Sequence, residues 1–128
     1  MVAEKTLRFQ GKNRDINDLG STFAKTLEDE GYKVQTKQMP GSFVIQAQKA
    51  GILRDIITAE RAFTILISGE PDDFTVRIGV GKFVQNLAVM AIEAILLSEL
   101  FLAVDVPETL WSIHVEKGLI NKLQQLLV

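Results

Sequence analysis

"AFTILISGEPDDFTVRIGVGK", residues 62–82, is the stretch that decides the fold of this chain. Phe63, Ile65 and Ile67 occupy one side of an extended segment, and Phe74, Val76, Ile78 and Val80 one side of another. Apolar residues at a period of two mark a strand with a buried face. The intervening "GEPDD" is polar turn chemistry, so the stretch reads as a β-hairpin.

Toward the N-terminus, "YKVQTKQ" (32–38) and "SFVIQAQK" (42–49) flank Met39-Pro40-Gly41-Ser42. Pro before Gly suits the central pair of a type II turn, which predicts a second hairpin. Phe43, Ile45 and Ala47 are expected to face in, with Gln46 and Gln48 facing out. Before it, "NRDINDLGSTFAKTLEDEGY" (13–32) places Ile16, Leu19, Phe23 and Leu27 on one helical stripe. Asn13 or Asp15 can cap its start, and Gly31 is placed to end it in a left-handed turn. "KTLRFQG" (5–11) alternates as a half-buried strand, whereas "GILRDIITAE" (51–60) fits a short helix or a strand extension. The fold class is therefore α+β: an antiparallel sheet of about five strands, packed on one face by an N-terminal helix and long C-terminal helices. A chain of 128 residues fits a single domain over 1–128.

C-terminal to the hairpin, "GKFVQNLAVMAIEAILLSELFLAVDV" (81–106) is almost wholly apolar around Glu93 and Glu99. Its length would span a bilayer. Its large apolar residues together supply about −5 kcal/mol on an insertion scale, against about 2.5–3.5 for an acidic residue near the centre and less for Glu99 nearer the end. That balance near zero, with Lys82 alone on one flank, weighs against a membrane span. As a helix, the run puts Lys82, Gln85, Asn86 and Glu93 on one side, interrupted by Val89, Leu96 and Leu100. A sheet covers about 100° of a helix. The rest needs the C-terminal helices, a second subunit or a ligand. "DVPETL" (105–110) then reads as a helix start with Asp105 as cap and Glu108 closing a capping box. Past Gly118 the apolar phase shifts to Leu119, Ile120, Leu123, Leu126 and Leu127, predicting a kink or break at the glycine.

Net charge is −2, and no Lys/Arg run is present, so nucleic acid is not an expected partner. The chain has no cysteine, which excludes disulfides and thiolate chemistry. Residues 1–10 alternate rather than forming a signal-peptide core, and the expected compartment is the cytoplasm. "GVGKF" (79–83), between a strand and a helix, could favour an anion, but it lacks the spacing and the Ser/Thr of a phosphate loop; glycines for a tight strand-to-helix corner explain it better than a weak anion site. "EPDD" (70–73) could hold a cation or be a solvated tip. Met39 and Met90 could be thioether ligands or core filler. His114, the only histidine, could ligate haem iron, act as an acid or base, or be structural. Glu93, if buried, needs a partner such as Arg54, Arg61 or Arg77. Nothing in these residues argues specifically for catalysis.

The stretches "GSFVIQAQKAG" (41–51) and "AFTILISGEPDDFTVRIGVGKFVQNLA" (62–88) resemble a group of small uncharacterised bacterial domains. In that group a strand-rich half precedes a very apolar C-terminal helix, and Phe83 stands where the group carries Trp. The resemblance covers residues 41–90 and implies no activity. The expected function is a non-enzymatic binding module, homo-oligomeric through residues 83–104 and 119–128. The alternative is a carrier or sensor of an apolar or haem-like ligand lined by Phe83, Leu87, Met90, Glu93, Ile95, Phe101, Trp111 and His114.

Overall fold

A computed structural model describes residues 4–48, 61–84, 86–89, 101 and 106–127. Strands β1 (Glu4–Gln10), β2 (Lys33–Met39), β3 (Ser42–Gln48), β4 (Arg61–Glu70) and β5 (Asp73–Lys82) form an antiparallel sheet in the order β1-β5-β4-β3-β2. The expected α+β class is the observed one. Strands β2 to β5 make a meander, and β1 returns to pair with β5, Leu7 opposite Val76 and Phe9 opposite Phe74. Residues 51–60 lie outside the described residues, so their helix-or-strand alternatives are not addressed.

Both hairpins turn on two residues. Met39 pairs with Ser42 around Pro40-Gly41, and Gly41 has φ +70°, as a type II turn requires. Glu70 pairs with Asp73 around Pro71-Asp72, so the β4–β5 loop is shorter than the expected "GEPDD". Polar side chains do not prevent ladder pairing, because the ladder bonds are made by the backbone. The tip is anchored: Gly11 N–H donates to Asp72 O at 2.7 Å and Arg14 N–H to Pro71 O at 3.2 Å.

Helix α1 (Ile16–Asp29) starts at Asp15, whose carboxylate accepts from Asn17 N–H at 2.9 Å and Asp18 N–H at 3.1 Å. It ends as anticipated, with Gly31 at φ +94°. Tyr32 N–H reaches Leu27 O and Gly31 N–H reaches Glu28 O, both at 3.0 Å, the paired bonds of a Schellman cap. Ile16, Leu19, Phe23, Ala24 and Leu27 are buried against the sheet.

The C-terminal helix covers the same face. It comprises α2 (Glu108–Trp111), a segment of wider i→i+5 turns (Ser112–Ile120) and α3 (Asn121–Leu126). Pro107 precedes it with no side-chain capping bond of its own; Asp105, the expected cap of the capping box, lies outside the described residues. Of the expected kink or break at Gly118, the break is absent, since the chain stays helical through it. The phase shift has another cause. Residues four apart over-rotate by about 40° in an α-helix, and wider turns bring Trp111, Val115 and Leu119 back to one buried side. Leu119, Ile120, Leu123 and Leu127 are buried in the protein's own core, with α1 and the inward side chains of β3, β4 and β5. Lys5–Glu116 at 3.5 Å and Lys122–Glu30 at 3.2 Å tie this helix to β1 and to the end of α1.

No helix among the described residues is long and apolar enough to cross a membrane. Most of the 82–104 run, including Glu93 and Glu99, lies outside the described residues.

Candidate functional site

The sheet is covered on both faces, and the second face carries Phe83, Leu87 and Phe101, the sequence-predicted residues of the apolar run that are described. Register places Gln35 beside Gln46, Gln46 beside Thr64 and Thr64 beside Gly79, one row across four strands. Gln46 and Thr64 are fully buried. The expectation that Gln46 faces water is therefore corrected: alternation put it on the opposite face from Ile45, but that face is covered too.

Buried polar groups must be bonded, and this row is bonded to the chain that leaves β5. Gln46 Nε2 donates to Lys82 O at 2.7 Å and to Thr64 Oγ1 at 3.2 Å, while its Oε1 accepts from Val84 N–H at 3.1 Å. Gln35 Nε2 donates to Val84 O and to Gln46 Oε1, the latter at 3.1 Å, and its Oε1 accepts from Leu87 N–H at 3.3 Å. Gln48 Nε2 donates to Arg61 O at 2.7 Å. Each glutamine amide offers one donor group and one acceptor, as a peptide unit does. Gln35 and Gln46 thus hold the backbone of Lys82, Val84 and Leu87 as a neighbouring strand would.

Beside the row lies an apolar cluster. Val44 and Leu87 are buried, and Met39, Leu66, Val84 and Phe101 pack against them. Two half-buried aromatic rings of the run each carry a cation. The Arg77 guanidinium carbon is 3.9 Å from the Phe101 centroid, and Lys33 Nζ is 5.4 Å from that of Phe83. Arg77 also donates to Glu4 at 2.8 Å.

Phe83, Leu87 and Phe101 therefore share the second face. Trp111 belongs to the core on the other face, and its indole Nε1 is buried with no partner among the described residues. His114 lies half-buried on the C-terminal helix. Met90, Glu93 and Ile95 lie outside the described residues. Met39, offered as a thioether ligand or filler, packs on the second-face cluster.

The other candidate motifs resolve into structure. Gly79 and Gly81 of "GVGKF" are strand residues, paired with Thr64 and Ala62, and among the described residues just beyond them stands the 3-10 turn Leu87–Val89. Residues 79–82 therefore form neither a phosphate-type loop nor a corner, because the strand continues to Lys82. In "EPDD", the Asp73 carboxylate accepts from Arg8 Nε at 2.9 Å and Nη2 at 2.8 Å. Among the described residues no group of three His, Cys, Asp or Glu could hold a metal ion.

That fork lowers the Asp73 pKa below the ordinary carboxylate range, the Arg8 hydrogen bond being the main cause. A depressed folded pKa adds stability above the unfolded value, which is lost as pH falls through the folded one. Carboxyl titration by NMR is expected to show Asp73 ionising at lower pH than a free aspartate. In Arg8→Gln the midpoint should return toward the ordinary value, and an unchanged midpoint would remove the fork as its cause.

A cleft of about 530 Å³ lies elsewhere, between the β1–α1 loop, the first turns of α1, Pro71 and Leu126. Arg14, Asp15 and Asp18 line it, and Asp15 is engaged in capping α1. Among the described residues, none of the sequence-predicted ligand residues borders it. The "NRD" that opens α1 signalled a cap; the concavity needs the hairpin tip and the last helical turn beside it, which are distant in sequence.

Compared with known proteins, the chain matches no protein-family model, no curated protein and no solved structure.

Proposed function

We propose that the protein is a non-enzymatic binding module that associates with a second copy of itself through the apolar segment beyond β5. Val89 carries the reading. It is 80% exposed, yet it stands at the head of the sequence "MAIEAILLSELFLAV" (90–104) and two residues after fully buried Leu87. A large apolar side chain held in water at the start of such a run suits a self-complementary contact. The half-buried rings of Phe83 and Phe101 lie on the same side of the sheet and extend the apolar surface. Residues 119–127 do not contribute, because their apolar side chains are consumed in the protomer's own core.

Sedimentation across the micromolar range tests this. The wild-type chain should gain mass with concentration, and Val89→Lys should weaken association by about tenfold or more, since it places a charge in an apolar contact. A wild-type chain that stays monomeric at high micromolar concentration would overturn the proposal.

A further inference from the structure

We infer that the outer edge of β1 is a second self-association surface, at which two copies pair their β1 strands antiparallel about a two-fold axis at Thr6. Strand β1 ends the sheet: β5 lies on one side of it, and among the described residues no strand lies on the other. An open edge presents backbone donors and acceptors that a further strand can satisfy. Glu4, Thr6, Arg8 and Gln10, the β1 side chains on the second face, are all exposed. This edge is separate from Val89 and does not rest on the proposed apolar contact.

The charges of β1 select both partner and register. Charged side chains on an edge keep unlike strands away, so the incoming strand must carry the matching signs. Strand β1 carries them itself. Side chains alternate between faces, so a pairing that keeps both second faces on one side must be centred on a residue rather than between two. Registers that overlap most of β1 centre on Thr6, Leu7 or Arg8. The Arg8 centre sets Arg8 against its own copy, a destabilising like-charge pair. The Leu7 centre sets Glu4 against Gln10, Lys5 against Phe9 and Thr6 against Arg8, with no opposite charges matched. The Thr6 centre sets Glu4 opposite Arg8 of the second copy, and symmetry repeats the pair.

Both charged groups have an atom to spare for that contact. Arg77 Nε donates to Glu4 Oε2 at 2.8 Å and its Nη2 approaches the same oxygen, which leaves Oε1. The Arg8 fork on Asp73 uses Nε and Nη2, which leaves Nη1. Across the axis, Arg77 and Glu4 of one copy would continue into Arg8 and Asp73 of the other, four charges of alternating sign. The two five-stranded sheets would become one.

The chain has no cysteine, so Thr6→Cys supplies a single thiol at the axis. Opposed residues of an antiparallel pair have Cα atoms about 4.5–5.5 Å apart, within disulfide reach. Under mild oxidant Thr6→Cys should form a covalent dimer about tenfold or more faster than Gln10→Cys, which is also exposed but lies away from the axis. In the wild-type chain, the β1 amides that do not donate to β5 should exchange about tenfold slower at high than at low micromolar concentration. Equal crosslinking at the two positions, or β1 exchange independent of concentration, would overturn the inference and leave the edge to water or to a strand of another protein. The exchange result decides even if a variant fails to fold. Adding Val89→Lys separates the two surfaces. Thr6 crosslinking that persists with Val89→Lys keeps this inference whatever becomes of the apolar contact. Association that Val89→Lys weakens, without preferential Thr6 crosslinking, keeps the proposed function and removes this inference.

Discussion

Gly69→Ala should lower unfolding stability by about 3–4 kcal/mol, a large part of the roughly 5–15 kcal/mol available to a domain. Gly69 has φ +126°, where an L side chain is strained by about 1–3 kcal/mol. Strain is only half of the effect. A Cβ built there would stand 2.6 Å from Asp73 O and 2.9 Å from Phe74 Cα. These are backbone atoms of the partner strand and cannot rotate aside. The hairpin would have to part where Gly69 opposes Phe74, whose ring stacks on Phe9 at 5.5 Å. Urea unfolding should show a lower midpoint at an unchanged slope. Gly41 supplies the contrast: φ is +70° but no atom lies within 4 Å of its would-be Cβ, so Gly41→Ala should cost only about 1–2 kcal/mol. Equal losses at the two sites would show that contact with the partner strand does not matter.

Gly20→Ala should also destabilise, against the direction of helix propensity. In an exposed helix the change would gain about 1 kcal/mol. Gly20 is buried in α1, however, and its Cβ would fall 2.3 Å from Cδ1 and 2.5 Å from Cγ of Phe43. That ring is 4% exposed and lies opposite Ile67, so it has little room to retreat. Overpacking of this kind costs about 1–3 kcal/mol, and a net loss of about 1 kcal/mol is expected in urea unfolding. A double-mutant cycle with Phe43→Leu tests the cause, because the pair should lose less than the sum of the single losses. A stabilised Gly20→Ala variant would show that α1 can lift from β3 at little cost.

Much of the fold was legible because its signals are local. The alternation in "FTVRIGV" and "SFVIQAQ" located β5 and β3, and Asp15, Gly31 and Pro40-Gly41 marked ends and turns at the residues observed. The second face was misjudged for a physical reason. Alternation separates two faces without saying whether both are dry, so Gln46 was assigned to water. A signal was present: Val44, Ala62, Leu66, Gly79 and Gly81 fall on that face, a set too apolar and too small for a solvated surface. Gly118 misled in another way. Its propensity argued for a break, but Val115, Leu119 and Ile120 on either side are buried, and their burial keeps the helix continuous. The candidate site was legible only in part. The sequence brought Phe83, Leu87 and Phe101 into one group, and the sheet divides them from Trp111.

The pairing of β1 with β5 bears on the order of assembly during synthesis. Strands β2 and β3 are joined by a two-residue turn, as are β4 and β5, so these close with neighbours made moments before. The first strand has no such neighbour: Arg8 waits for Asp73, and Glu4 for Arg77, contacts 65 and 73 residues away. Such distant closures slow folding. Made well before the strand it pairs with, β1 is thus the last to find its place in the sheet, and until then Leu7 and Phe9 wait without a partner strand.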